Sequence, residues 1–288
     1  MRLHSYHIPK TLDEALALLD AEVKEGRETH LLAGGTDLMV RAREGRWKPQ
    51  VIVQIEGLSE LEGIVEDGSR LRLGARVSFS QILASPLIAQ FARGLALASH
   101  EIGAPQIQSR GTVGGQLGTA SPVGDLIPPL LVLEADVLLR SVEGERRIPI
   151  SGFLLGVSKT QRRPNELILG VEFEKARADD HWIWFKLGPR RAQSISKVSL
   201  AGLVRLSADR KIEVCRLAYG AVAITAKRVA KTESLLTGKT LTPELAREAT
   251  QTVMTEVSPI TDLRSTEPYR RKMCGVLLRR GLAPLIDS

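Results

Sequence analysis

LLAGGTDLMV, residues 31–40, sets two glycines, a threonine and an aspartate directly after a short apolar stretch that reads as a strand. Gly34 and Gly35 can take backbone angles closed to other residues and let a ligand approach the main chain. Consecutive N–H groups in such a turn form a concavity suited to a diphosphate, and Thr36 adds a hydroxyl donor. The spacing is neither Gly-x-Gly-x-x-Gly nor Walker A, because no Lys-Ser or Lys-Thr follows the glycines, so a nicotinamide-type dinucleotide fold and a P-loop nucleotidase are disfavoured. A plain tight turn in which Asp37 caps the next segment accounts for the same residues.

TVGGQLGTASPVGDLIPPL, residues 112–130, repeats the theme. Gly114 and Gly115 permit close backbone approach, Thr112, Thr119 and Ser121 supply hydroxyls, and Pro122 stiffens the descent to Asp125. An aspartate there can accept from ribose hydroxyls or an adenine-side group, whereas free phosphate would be repelled by it. It can equally cap the apolar run that follows. Two such loops in one chain, with few catalytic side chains elsewhere, indicate a protein that holds a phosphate-bearing cofactor and leaves the chemistry to it. No Gly-x-Ser-x-Gly elbow is present, and no catalytic side chain is assigned.

Composition narrows the remaining classes. The 288 residues are 43% apolar and 25% charged, which is ordinary for a globular protein with a substantial core. The opening twenty residues carry Arg2, Lys10, Asp13 and Glu14 without a long apolar run, and Pro128 and Pro129 interrupt the most apolar tract. Neither a secretory signal nor a membrane span is expected, and a soluble cytoplasmic protein is. The net charge of +7 is spread in small runs, and aromatics are only 4%, so nucleic-acid binding is disfavoured relative to a basic surface facing an acidic partner or cofactor phosphates. Cys215 and Cys274 are too few for a cluster of their own and read as reduced packing residues, while the five histidines show no metal-binding spacing.

The periodicity predicts an amphipathic helix over 11–20 opened by a Thr11–Glu14 capping box, a strand around 30–32 leading into the first loop, and a strand around 51–55. A strand over 70–74, a helix opened by Ser78 with Gln81 at its third position, and one longer helix over 86–100 follow. The stretch 103–126 reads as irregular, being rich in Gly, Ser, Thr and Pro. A hairpin over 135–141 and 146–150 and a strand over 166–174 complete a second, α+β lobe. Charge interrupts the pattern at 175–181, marking a boundary between a first domain (1–178, with lobes of roughly 1–56 and 57–178) and a second (179–288). The second is an antiparallel pair over 199–206 and 211–219 followed by helices over 226–236, from 242 to about 257, and over 268–280.

The stretches LLAGGTDLMV and IQSRGTVGGQLGTASPVGDLIPP (107–129) resemble the flavin-binding segments of the FAD-carrying medium subunit of molybdenum hydroxylases, the xanthine dehydrogenase and carbon monoxide dehydrogenase family. The resemblance extends over essentially the whole chain, from SYHIPKTLDEALALL (5–19) to the C-terminal strand-and-helix unit. It implies an α+β fold with a two-lobed FAD-binding domain of the vanillyl-alcohol oxidase type and a smaller C-terminal domain. It implies that the amides of Ala33, Gly34, Gly35, Thr36 and Asp37, flanked by Leu32 and Leu38, wrap the FAD diphosphate. Thr112, Gly114, Gly115, Thr119 and Ser121 would complete the pocket, with Asp125 on the ribose and adenine side. Lys186, in WFKLGPRR, matches a position near the flavin and could stabilise negative charge on the reduced ring; without the resemblance it reads as a strand-end surface residue.

The same resemblance implies partners. A large subunit would carry the molybdenum cofactor, a small subunit [2Fe–2S] clusters, and the assembly would be a dimer of heterotrimers. This chain would take electrons from the clusters through FAD to an external acceptor. It departs from the family at Gln116, where Asn is frequent, and at Ala192–Ser194, where many relatives place an acidic residue after the arginine pair, which leaves the acceptor open. A self-contained FAD oxidase or dehydrogenase and a flavin-free scaffold are the competing readings.

Overall fold

The computed structural model describes residues 3–286. A small parallel sheet comes first, in the order Ser5–His7, Val51–Gln54, Thr29–Leu32. Parallel neighbours need crossover connections, and helix Leu12–Lys24 supplies the first, burying Leu12, Ala15, Leu16 and Leu19 at helical spacing beside Val51 and Val53. Thr11 caps that helix by accepting from the Glu14 amide, while the Glu14 carboxylate reaches back to the amide of Lys10, 2.6 Å away, rather than to that of Thr11. The second crossover carries the first glycine loop and helix Leu38–Arg43.

An antiparallel sheet of five strands follows in the order Ile64–Asp67, Arg70–Gly74, Leu167–Glu174, Asp136–Ser141, Gly144–Pro149. Short helices connecting its strands pack on it to form one buried cluster with the parallel sheet. Helix Phe79–Ala84 opens on the Ser78–Gln81 capping box read from the sequence. The single helix expected over 86–100 is two, Pro86–Phe91 and Arg93–His100, broken at Ala92 (φ −149°, ψ 41°). The break lets Gly94 back onto Trp182, where a Cβ would lie 2.3 Å from the indole. The stretch read as irregular contains helix Val113–Thr119, started by Thr112, whose hydroxyl accepts from the Gly115 amide at 3.0 Å. A strong cap and tight packing hold glycines in a helix that propensity alone disfavours.

The C-terminal part is a four-stranded antiparallel sheet, His181–Leu187, Val198–Leu206, Ile212–Gly220 and Lys227–Arg228, with helices Ala230–Leu236, Pro243–Glu256 and Glu267–Ile286. Alternation along its strands assigns the two faces. Trp182, Trp184, Ala201, Leu203 and Ala218 join the core of the preceding sheets, whereas Ile183, Leu200, Val204, Leu217 and Tyr219 pack under the three helices. The sheet therefore clamps the C-terminal helices to the rest of the chain. Among the described residues no helix is long and apolar enough to cross a membrane.

Candidate functional site

The two glycine loops meet along a cleft of about 380 Å³. Strand Thr29–Leu32 delivers the first, and its glycines are required by geometry: a Cβ on Gly34 would lie 1.6 Å from the carbonyl oxygen of Arg110, and Gly35 sits at φ +73°. The N–H groups of Gly34, Gly35, Thr36 and Asp37 find no acceptor among the described residues. Four successive donors without partners along a cleft form a concavity that attracts anionic oxygens. Asp37 starts helix Leu38–Arg43 without capping it; its carboxylate instead accepts from the Thr119 hydroxyl at 3.2 Å and pairs with Arg41 at 2.9 Å.

The second loop contributes shape more than amides. The Gly114 N–H donates to Ala75 O at 2.8 Å, the Gly115 N–H to the Thr112 hydroxyl and the Gln116 N–H to Thr112 O. Gly114 is there for packing, since a Cβ would approach that of Ala75 to 2.7 Å. Gly115 leaves the cleft wall open, and Thr112, Thr119 and Ser121 line it as well. Gln116 also lines the cleft, and its buried side-chain oxygen has no hydrogen-bond donor among the described residues, leaving it free to accept from a ligand N–H or O–H.

Asp125 and Lys186 come together, but behind the cleft. The Lys186 ammonium donates to Asp125 Oδ2 and to Glu101 O, each at 2.7 Å, and the Ser196 hydroxyl donates to Asp125 Oδ1 at 2.5 Å. Burial pushes the Asp125 carboxyl above its usual range against the opposing pull of Lys186 and Ser196. The Asp125 carboxylate, expected on the ribose and adenine side, makes an internal ion pair here, and turning outward would abandon a buried ammonium. Lys186 is equally far from the surface residue that its isolated position reads as, with its side chain 5% exposed. The pair joins the segment beneath the cleft residue Gly124 to the C-terminal sheet.

Several cleft residues lie outside the two motifs. Arg41 rests 4.6 Å over the Trp47 ring, which stacks on His30 with centroids 5.2 Å apart. Phe79 and Ile102 form apolar wall, and Arg162 enters from the hairpin before strand Leu167–Glu174. Nothing marks them in sequence, because RAREGRWK (41–48) and TQRRPNE (160–166) look like ordinary basic surface. Cys215 and Cys274 are buried free thiols in the second core, and no cluster of three His, Cys, Asp or Glu able to hold a metal occurs among the described residues.

The geometry defines a two-lobed holder of a phosphate-bearing cofactor, and comparison with known proteins specifies which. Residues 2–173 match the FAD binding domain in molybdopterin dehydrogenase, and residues 183–285 match the CO dehydrogenase flavoprotein C-terminal domain. The carbon monoxide dehydrogenase medium chain of Hydrogenophaga pseudoflava is 31% identical over 96% of this chain and 95% of its own. The nicotinate dehydrogenase FAD-subunit of Eubacterium barkeri is 29% identical over 100% and 98%. Among solved structures, the Hydrogenophaga pseudoflava carbon monoxide dehydrogenase that lacks the Mo-pyranopterin moiety superposes with a TM-score of 0.93 at 30% identity, over 98% of this chain and 96% of that one. The chain belongs to the FAD-binding medium subunits of the molybdopterin dehydrogenases. It is an oxidoreductase subunit that transfers electrons within a molybdenum hydroxylase complex.

Proposed function

We propose that FAD occupies the cleft with its diphosphate on the amides of Ala33–Asp37 and that the chain passes electrons from the [2Fe–2S] clusters of a small partner subunit to an external acceptor. The run of four unbonded amides is the observation that carries this reading. The fit extends beyond it: Gly34 and Gly35 hold the loop in the conformation that presents these amides, Thr36 and Ser121 keep hydroxyls without internal partners, and Gln116 offers a buried acceptor. Ala33, Leu32 and Leu38 frame the loop, and Thr112, Gly114, Gly115 and Thr119 form the opposite wall. Bound FAD would supply the exchange between one-electron carriers and a two-electron acceptor.

The protein's own work is positioning. Asp125 holds Lys186 behind the Gly124 end of the cleft, where the buried ammonium would favour negative charge on the cofactor through space rather than by contact. Trp47, stacked on His30 with the Arg41 guanidinium over its ring, forms part of the cleft wall. The assembly we infer is a dimer of heterotrimers with a large subunit carrying the molybdenum cofactor, acting in the cytoplasm, and the chain divides near residue 178 into cofactor-binding and C-terminal domains.

Purification with native neighbours tests the assignment. Stoichiometric FAD together with molybdenum and [2Fe–2S] clusters on co-purifying subunits is expected. FAD on a lone chain that turns over a small substrate without those subunits would overturn it in favour of a self-contained flavoenzyme.

A further inference from the structure

Arg162 enters the cleft wall on the stretch between strands Lys159–Thr160 and Leu167–Glu174. One terminal nitrogen of its guanidinium is fastened to three main-chain carbonyls, those of Glu166 at 2.7 Å, Arg163 at 3.1 Å and Pro164 at 3.3 Å. Its remaining N–H donors have no partner among the described residues. The nearest acid, Glu166, is spent elsewhere: Arg146 takes both of its oxygens, at 2.5 and 2.8 Å, and the Arg163 amide donates to one of them at 2.6 Å. Burial pulls the Arg162 guanidinium below its usual value with only the charge of Glu166 opposing, yet an arginine remains charged.

A count of charges along the cleft gives this residue its meaning. Asp37 and Arg41 cancel each other across 2.9 Å, which leaves Arg162 as the cation without a carboxylate partner among the described lining residues. The preceding hairpin is tied to helix Leu38–Arg43 and to the second glycine loop: Ser158 accepts from Arg41 at 3.3 Å and donates its amide to Ala120 O at 3.2 Å. The uncompensated charge lies on the stretch that follows this hairpin and lines the same cleft as the amide run.

We propose that Arg162 is a cofactor-binding residue that neutralises the diphosphate of the bound dinucleotide, so that the cleft discriminates in favour of diphosphate-bearing ligands. Anchoring one nitrogen on carbonyls presets the guanidinium, and the free donors suit paired phosphate oxygens. This rests on the FAD reading above, and the experiment separates the two. Apo-chain is titrated with FAD by flavin fluorescence, with ADP as a flavin-free competitor and riboflavin as a diphosphate-free one, at several salt concentrations.

Arg162→Met is expected to weaken FAD and ADP together by about tenfold or more, to leave riboflavin unchanged and to flatten the salt dependence of FAD binding. Arg162→Lys should recover most of the affinity and the salt slope. Arg162→Gln, whose amide can still donate to the carbonyls, serves if the methionine variant fails to fold and should lose the slope while keeping the fold. FAD affinity within twofold of wild type with an unchanged salt slope, or an equal loss for riboflavin, would overturn the proposal. A wild-type chain that binds no FAD would instead sink the cofactor assignment itself.

Discussion

Gly34 and Gly115 separate two meanings of a motif glycine. A methyl group on Gly34 meets a main-chain carbonyl at 1.6 Å, and backbone cannot rotate away as a side chain can. Gly34→Ala is expected to displace the loop, lowering the melting temperature and cutting FAD affinity at least about tenfold. On Gly115 the nearest obstacle is the capping Thr112 hydroxyl at 3.0 Å, so Gly115→Val should fill ligand space and eject FAD, with a fall in melting temperature smaller than that of Gly34→Ala as the cap gives way. Thermal melts beside fluorescence titrations check both, and identical behaviour of the two variants would contradict the division of labour. The cysteines make an independent test. Burial raises both thiols to about 12, so at pH 8 only about one in ten thousand is thiolate. Neither should react with a thiol reagent until the chain unfolds. Because the folded values lie above the unfolded one, the associated stability is full below about pH 8.5 and is lost as pH rises toward 12. At this scale the sequence disclosed glycines that the backbone requires but not the internal partner of Asp125, because a carboxylate looks the same in sequence whatever it pairs with, here a lysine sixty-one positions away.

Elements were legible where a local signal reinforced the tertiary one. Ser78 with Gln81 announced a helix start, and the alternating stretches around 199–206 and 211–219 paired as read, as strands Val198–Leu206 and Ile212–Gly220. Helix Val113–Thr119 was hidden because its three glycines argue against helix, while the deciding interactions, Thr112 on Gly115 and Gly114 against Ala75, are contacts that composition does not encode. Thr112→Val should remove that cap and cost about 1 kcal/mol, measured as a lower urea midpoint with an unchanged slope. The Asp125–Lys186 pair joins different elements and should cost more to break. Asp125→Ala strands a buried ammonium and is expected to destabilise by about 3–5 kcal/mol, whereas Asp125→Leu with Lys186→Met should recover much of the loss. A double variant no more stable than Asp125→Ala would show that the pair is not acting as a unit.

Across the whole molecule, the cleft exists because three sheets share one buried core. The first glycine loop belongs to the parallel sheet, Gly114 and Arg162 to the surroundings of the five-stranded sheet, and Lys186 to the C-terminal sheet. Lobes and loops could be read from the chain, but the wall residues Arg41, Trp47 and Arg162 could not, since only the closure of the lobes turns ordinary basic surface into lining. On the proposed reading this cleft holds one FAD. Equilibrium titration of the flavin-free chain with FAD, followed by fluorescence, tests it most directly. Saturation at one FAD per chain, abolished in Gly115→Val, is the expected result. A well-folded wild-type chain that leaves FAD fluorescence unchanged, and from which no flavin is recovered after gel filtration, would contradict it.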